Sequence, residues 1–344
     1  MPARPLTLKS LAELAGVSAQ TVSLALRNHP ACKAQTRERI QRLAAKVGYR
    51  PDPTLSKLMG YLRTARAKRV KATICGLTTR RQPFREPYLE ALVAGGQARA
   101  AALGYAFDVI TVDPAAPRIA GRLHRILQAR GVDGLLLLPM AESGEFSALT
   151  AWENYSLVSV TYSVTAPVTH RVVPSSFNNT IRLCQHLAGL GYRRPGLVTS
   201  QAYDHRVGHL ITAAIAWLNT GPHPDRVPPL LVHSTLEEEF PAWWECHRPD
   251  AIIAHSDFDL ERIRRLLPAG AATKTGLACS SAFHFLGRHD LAGIDEQPAE
   301  IGAAAIDLLA SLIQHGDRGL PPNPRTTLVE GRFRPGRSAP GRSV

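Results

Sequence analysis

Close to the amino end, a few polar side chains are spaced as if to read another polymer. Ala19, Gln20, Ser23, Leu24 and Arg27 recur on one side of a helical period, with Ser18 and Thr21 beside them. An amide, two hydroxyl types and a guanidinium on one helix face can bond to base edges or phosphate oxygens, and a helix amino end favours a phosphate. Gln20 is the best candidate for base readout, because an amide bonds to adenine in two places at once. Later in the chain stands a second set suited to a small molecule. Tyr88 can stack on a ring, Arg206 can clamp a carboxylate or pair hydroxyls, Asp257 can accept from a hydroxyl, and Ser281 is grouped with them. Read from residue type alone, each of these serves equally well in core packing or a surface ion pair.

The first set needs a small helical scaffold, and the flanking pattern supplies one. Leu8, Leu11, Ala12 and Ala15 line one face of a short helix, and Val22, Ala25 and Leu26 line a second. Gly16 can take the left-handed exit between them, and Ser18 is a good N-cap for a helix beginning at Ala19. Helix, glycine turn and capped helix make a helix-turn-helix, whose second member lies in a major groove. Over 35–47, Ile40, Leu43, Ala44 and Val47 follow helical spacing with basic residues interleaved, and Gly48 ends the run. An all-α headpiece is therefore expected over 1–50. Pro51-Asp52-Pro53 breaks the chain before an apolar stretch, 54–62, too short to stand as an isolated helix. A basic linker completes a hinge segment over 51–71.

The run 7–23, then Thr36-Arg37-Glu38-Arg39-Ile40 and Gly48-Tyr49-Arg50-Pro51, resembles in order and spacing the DNA-binding headpiece of the LacI/GalR family of bacterial repressors. The resemblance implies a DNA-contacting set of Thr7, Ser18, Ala19, Gln20, Thr21, Ser23, Leu24, Arg27 and Tyr49. Ser18, Thr21, Tyr49 and the basic side chains would fix register through phosphates. It also implies that 54–62 is a hinge helix, paired with its twin in a homodimer, which drives Leu58 into the minor groove at the operator centre. Such a wedge costs a few kcal/mol of unstacking, recovered through contacts with the bent duplex. A linker whose leucines rest on the next domain is the plainer reading of the same residues.

Charge agrees with this placement. The 344 residues carry a net +13, and residues 1–71 hold 15 Lys and Arg against 3 Asp and Glu, so nearly all the excess lies in the headpiece and hinge. That is the footprint of a phosphate-binding module on a nearly neutral body. The five cysteines are far apart and form no CxxC pair, which suggests neither a disulfide framework nor a zinc site. His205 and His209 stand four apart without a third ligand and read as surface histidines; Trp243 and Trp244 read as helix packing. With no nucleophile elbow, P-loop or dinucleotide fingerprint, no enzyme, cofactor or metal is expected. No signal-like or membrane-length apolar run is present, so a cytoplasmic protein without membrane association is expected.

From residue 73 short apolar strands alternate with helices. Strands are predicted at 73–78, 105–111, 134–138 and 157–161, then at 196–199, 229–232, 251–254 and 275–279, with helices at 89–103, 119–129, 180–190, 207–219, 260–267 and 299–313. This alternation implies parallel sheets covered on both faces. Together with the resemblance, it implies an α/β two-lobed body like a periplasmic sugar-binding protein over 72–335. Lobe 1 is placed at about 72–170 and 293–320, lobe 2 at about 171–292 and 321–335, and a tail at 336–344. Ligands in such sheets sit beyond the carboxyl ends of strands, and Tyr88 and Arg206 match effector-contact positions of the family.

Three departures from the family pattern matter. Leu277-Ala278-Cys279-Ser280-Ser281 and Val173-Pro174-Ser175-Ser176 lack aspartates that often hold sugar hydroxyls, and Leu24 replaces a frequent arginine, which changes the base preference. The expected protein is a dimeric sequence-specific regulator of a pseudo-palindromic DNA operator, modulated by an unidentified small-molecule effector. The alternatives are an effector-independent or architectural DNA binder and a solute-binding protein.

Overall fold

Leu11, Val22, Ala25 and Ile40 are fully buried against one another, because the helical period puts each on the inner face of its own helix. In the computed structural model, which describes residues 8–26, 32–47, 72–79, 86–113, 116–140, 144–146, 151–220, 227–281 and 290–342, these residues belong to α1 (Leu8–Ala15), α2 (Ala19–Leu26) and α3 (Ala34–Lys46). Gly16 has a φ of +65° and turns the chain out of α1. The Ser18 hydroxyl accepts from the Thr21 amide at 3.1 Å, a cap of about 1 kcal/mol. The Gln41 side-chain amide donates to the Ala25 carbonyl at 2.9 Å and ties α3 to the end of α2. The three helices thus share the core expected from the sequence.

The body begins with β1 (Thr73–Thr79), α4 (Glu86–Leu103), β2 (Ala106–Val112), α5 (Ile119–Ala129), β3 (Val132–Leu137), β4 (Gly144–Glu145), β5 (Ser156–Val160), β6 (Val164–Ala166) and β7 (His170–Pro174). There follow α6 (Ser176–Gly189), β8 (Pro195–Ser200), α7 (Gln201–Arg206), α8 (Leu210–Leu218), β9 (Leu230–Val232), α9 (Leu236–His247), β10 (Ala251–Ala254), α10 (Asp257–Leu266), β11 (Gly276–Cys279) and β12 (Ala292–Asp295). The chain closes with α11 (Pro298–His315), β13 (Thr326–Val329) and β14 (Arg332–Arg334).

Two six-stranded sheets result. The first runs β13-β7-β5-β3-β1-β2, all parallel; the second runs β14-β12-β11-β10-β8-β9, parallel except for β14. Alternation along the strands feeds an apolar layer on each face. Ile74 joins Leu92 and Leu136 on one side of the first sheet, while Cys75 and Leu77 join Leu123 and Leu127 on the other. Ile253 and Ile252 are divided in the same way between the two layers of the second sheet. Helix α11 returns to the first lobe and packs on α4 with almost no side-chain spacer. A Cβ on Gly95 would stand 2.0 Å from the Ala299 carbonyl oxygen, and one on Gly302 would stand 2.0 Å from that of Leu92.

Strand membership moves the lobe boundaries from those drawn on the sequence. Strand β7 belongs to the first sheet, so the first crossover follows Pro174 rather than residue 170. Strand β12 belongs to the second, so the next crossover is at Glu296-Gln297 rather than 293, and β13 belongs to the first, so the last is at Glu330-Gly331 rather than 321. These strands are four to five residues long, too short for periodicity to register. Part of the assigned tail also belongs to lobe 2: Ala339 is buried in its core and the Ser338 hydroxyl donates to the Leu277 carbonyl at 2.6 Å. The predicted helix 207–219 is interrupted at Gly208 and His209, with φ of +68° and +62°. Asp204, itself buried, repairs the break: the Thr212 hydroxyl donates to it at 3.0 Å and Nδ1 of His209 lies 2.8 Å away. Among the described residues no helix is long and apolar enough to cross a membrane.

Candidate ligand site and nucleic-acid interface

In parallel sheets the helix amino ends and following loops collect at the carboxyl edge of the strands, and the four candidate ligand residues all derive from that edge. Tyr88 lies in the first turn of α4, which follows β1; Arg206 is the last residue of α7, which follows β8; Asp257 opens α10 after β10; Ser281 lies just beyond β11. The side chain of Asp257 lies outside the described atoms. Tyr88 and Ser281 are both buried.

A residue that sequence reasoning missed brings them together. Glu296 is buried, its Oε2 accepts from the Ser281 hydroxyl at 2.9 Å, and it is also hydrogen-bonded to Tyr88. Burial first, and the neighbouring Asp295 carboxylate to a lesser degree, push its carboxyl up to about 7, against the pull of the two hydroxyl bonds. Asp295 instead pairs with Arg334 and accepts from the Gln297 amide at 2.9 Å. Tyr203 and Tyr162 add two further phenols near the acid. Burial raises both phenols above the ordinary tyrosine value, and the charge of Glu296 raises them further. The Tyr203 ring stacks on His255 with centroids 3.5 Å apart. Arg206 lies close enough to lower the Tyr203 phenol, and its Nε is buried without a hydrogen-bond partner among the described residues. An unspent guanidinium N–H, a buried acid and several phenols can orient a small polar molecule that presents both acceptors and donors. The acid was legible only as Asp295-Glu296 after the apolar Ala292-Gly293-Ile294; a recognised strand there would have put it on the same edge.

On the headpiece, Ser18 is exposed beside its cap, with its hydroxyl 2.8 Å from that of Thr21. Ala19, Gln20 and Ser23 lie on α2, and their side chains are outside the described atoms. Leu24 is half-buried and packs on the headpiece core, so only part of it is presented outward. Thr7, Arg27, Tyr49 and Leu58 lie outside the described residues. Elsewhere, His205 and His209 meet edge-on at 5.7 Å, and Trp243 and Trp244 pack with Phe240 in the second lobe. Among the described residues no group of three or more His, Cys, Asp or Glu is placed to hold a metal ion.

Residues 7–52, which span α1 to α3, match the family model described as bacterial regulatory proteins, lacI family. The chain is 26% identical over 196 residues to the lactose operon repressor of Escherichia coli K12, an alignment covering 57% of this chain and 51% of that one. It is 44% identical over 54 residues to the HTH-type transcriptional regulator AglR of Rhizobium meliloti, covering 16% of this chain and 15% of that regulator. The chain thus spans about half the length of the first of these relatives and a smaller part of the second. A crystal structure of the lac repressor dimer, bound to operator and the anti-inducer ONPF, superposes with a TM-score of 0.53 and 19% identity over 98% of this chain and 99% of that one. At that identity the likeness is one of fold: a small helical headpiece on a two-lobed α/β body.

Proposed function

We propose, from the premise that residues 7–52 form a lacI-family regulatory domain, that the protein is a dimeric, sequence-specific transcription regulator whose operator affinity responds to a small molecule held between its lobes. The observation that carries this reading is the capped helix-turn-helix of α1 and α2, inside the matched segment and joined to a body with a polar interlobe site. Each headpiece would lay α2 in the major groove of one half-site, with Gln20 reading a base and Ser18, Thr21, Tyr49 and Arg27 holding phosphates. Paired hinges would bend the operator through Leu58. A small molecule that binds the two lobe arrangements with unequal affinity would shift the population competent for DNA, by about 1–3 kcal/mol in such systems. No catalytic step is assigned. The place of action is the compartment that holds the DNA, the cytoplasm of a bacterium.

Selection from a randomised duplex library by the full-length protein tests this. Enrichment of a palindrome with half-sites spaced for two headpieces is the expected outcome. Binding without enrichment would instead indicate an architectural DNA binder.

A further inference from the structure

Three segments cross between the lobes: Pro174-Ser175, Glu296-Gln297 and Glu330-Gly331. They are laced together, the Ser175 amide donating to the Val329 carbonyl at 2.9 Å and the Gln297 side-chain amide to the Glu330 carbonyl at 2.7 Å. Glu296 therefore sits on the hinge between the lobes, and its two bonds point opposite ways. Tyr88 belongs to lobe 1 and Ser281 to lobe 2. A carboxyl that is buried, on a hinge and bonded to both bodies has more than a packing role open to it.

We propose that Glu296 is the positioning residue of the interlobe site: its carboxyl ties Tyr88 of lobe 1 to Ser281 of lobe 2, and a ligand group that donates hydrogen bonds takes over one of those ties, so that occupancy sets how the lobes are held. The inference rests on the ligand-responsive reading of the body given above. Its physical basis is the cost of an ionised carboxylate out of water. The neutral acid is at ease between the two lobes. The ionised acid needs water or a donor-bearing ligand, and either requires room between Tyr88 and Ser281.

The proton is a probe that needs no knowledge of the ligand. The folded carboxyl lies at about 7, above its ordinary value of 4.5. A raised acid contributes stability in full below its unfolded value, and that contribution is lost as pH rises through about 7. Other charged or titratable groups face it from each neighbouring element. Tyr88 comes from α4, Tyr203 and Arg206 from α7, Tyr162 from the segment after β5, and Asp295 from β12 with its partner Arg334 on β14. Among the described residues, His255, stacked on Tyr203, has an ordinary value inside this range, and the Cys279 thiol of β11, bonded to the His255 carbonyl, has one at its upper end.

The experiment is hydrogen exchange on the full-length protein between about pH 5.5 and 8.5, corrected for intrinsic chemistry, reading the amides of 86–92 and 277–281. From about pH 5.5 to about pH 7 the opening of both segments is expected to grow up to tenfold per pH unit in the wild type, and to level off above about pH 7. In Glu296→Gln this dependence is expected to vanish while the fold persists. Ser281→Ala keeps the acid but removes a bond that favours its ionised form, so the midpoint is expected to move to higher pH. Tyr88→Phe should act in the same direction. A wild-type pH profile retained in Glu296→Gln would overturn the proposal. So would an unmoved midpoint in Ser281→Ala, the result expected if His255 were the source; that variant decides alone should Glu296→Gln fail to fold. DNA affinity is not read in this assay, so its failure and the failure of operator selection remain distinguishable.

Discussion

Asp295 and Glu296 are adjacent acids with different fates, and the alternation of an extended chain is the cause. The last residue of β12 turns its carboxylate toward Arg334 on the neighbouring strand, while the next residue turns the opposite way, to Ser281 at 2.9 Å. Both acids are buried, but Asp295 keeps a guanidinium partner whose own side chain is exposed, whereas Glu296 is bonded to hydroxyls and changes its protonation near neutrality. Thiols obey the same rule. Cys75 and Cys184 are pushed up to about 12 chiefly by burial, and Cys246 is the exposed member of the five. Alkylation of the native protein with iodoacetamide, read by mass spectrometry, is expected to label Cys246 and to spare Cys75 and Cys184 until denaturant is added. Labelling of Cys75 or Cys184 at a comparable rate would contradict the burial assigned to them.

At the level of elements, the contact between α4 and α11 fastens the last helix of the chain to the first lobe. It depends on Gly95 and Gly302, where backbone meets backbone and a flexible side-chain tip is not available to yield. Gly302→Ala and Gly95→Ala are each expected to cost about 1–3 kcal/mol in denaturant midpoint, the range for overpacking. Gly121 supplies the control. It lies in α5 with no atom within 4 Å of an added Cβ, so Gly121→Ala should be neutral or stabilising by about 0.5 kcal/mol. Equal losses at all three positions would mean that the close approach of α4 and α11 is not what those glycines serve. The α7 to α8 break is the reverse case, in which a bulky residue at positive φ is tolerated because Asp204 gathers His209 and Thr212 around it.

For the whole molecule, charge placement is the governing feature. With 15 basic and 3 acidic residues before residue 72 and a net +13 overall, the amino-terminal end carries the field and the body is nearly neutral. Phosphate contacts release counterions, so operator affinity is expected to fall steeply with salt, by about three orders of magnitude or more between roughly 50 and 200 mM if six or more phosphates are neutralised. A flat response would exclude phosphate contacts as the source of affinity. Leu58→Ala is expected to weaken operator binding and reduce bending in a permutation assay while leaving thermal unfolding of the body unchanged. Full retention of bending would assign the hinge leucines to packing instead.

How much of this was legible in the chain beforehand divides along the range of the interactions involved. The headpiece was readable almost residue by residue, since helical period, the Gly16 turn and the Ser18 cap are all local and act within a few positions of each other. The parallel α/β class was readable for the same reason, from apolar strands alternating with helices. Tyr88, Arg206 and Ser281 were named from strand-end logic, and the structure places all three at that edge, but nothing local indicated that Tyr88 and Ser281 would share one carboxyl. The lobe boundaries, the short strands β7, β12 and β14, the Gly95 and Gly302 contact and the role of Glu296 all depend on pairings between positions roughly a hundred or more residues apart, or on strands too brief to carry a period. Such pairings exist only once the chain has closed on itself, because burial and proximity, rather than residue type, turn an acid on a crossover into a tie between two lobes.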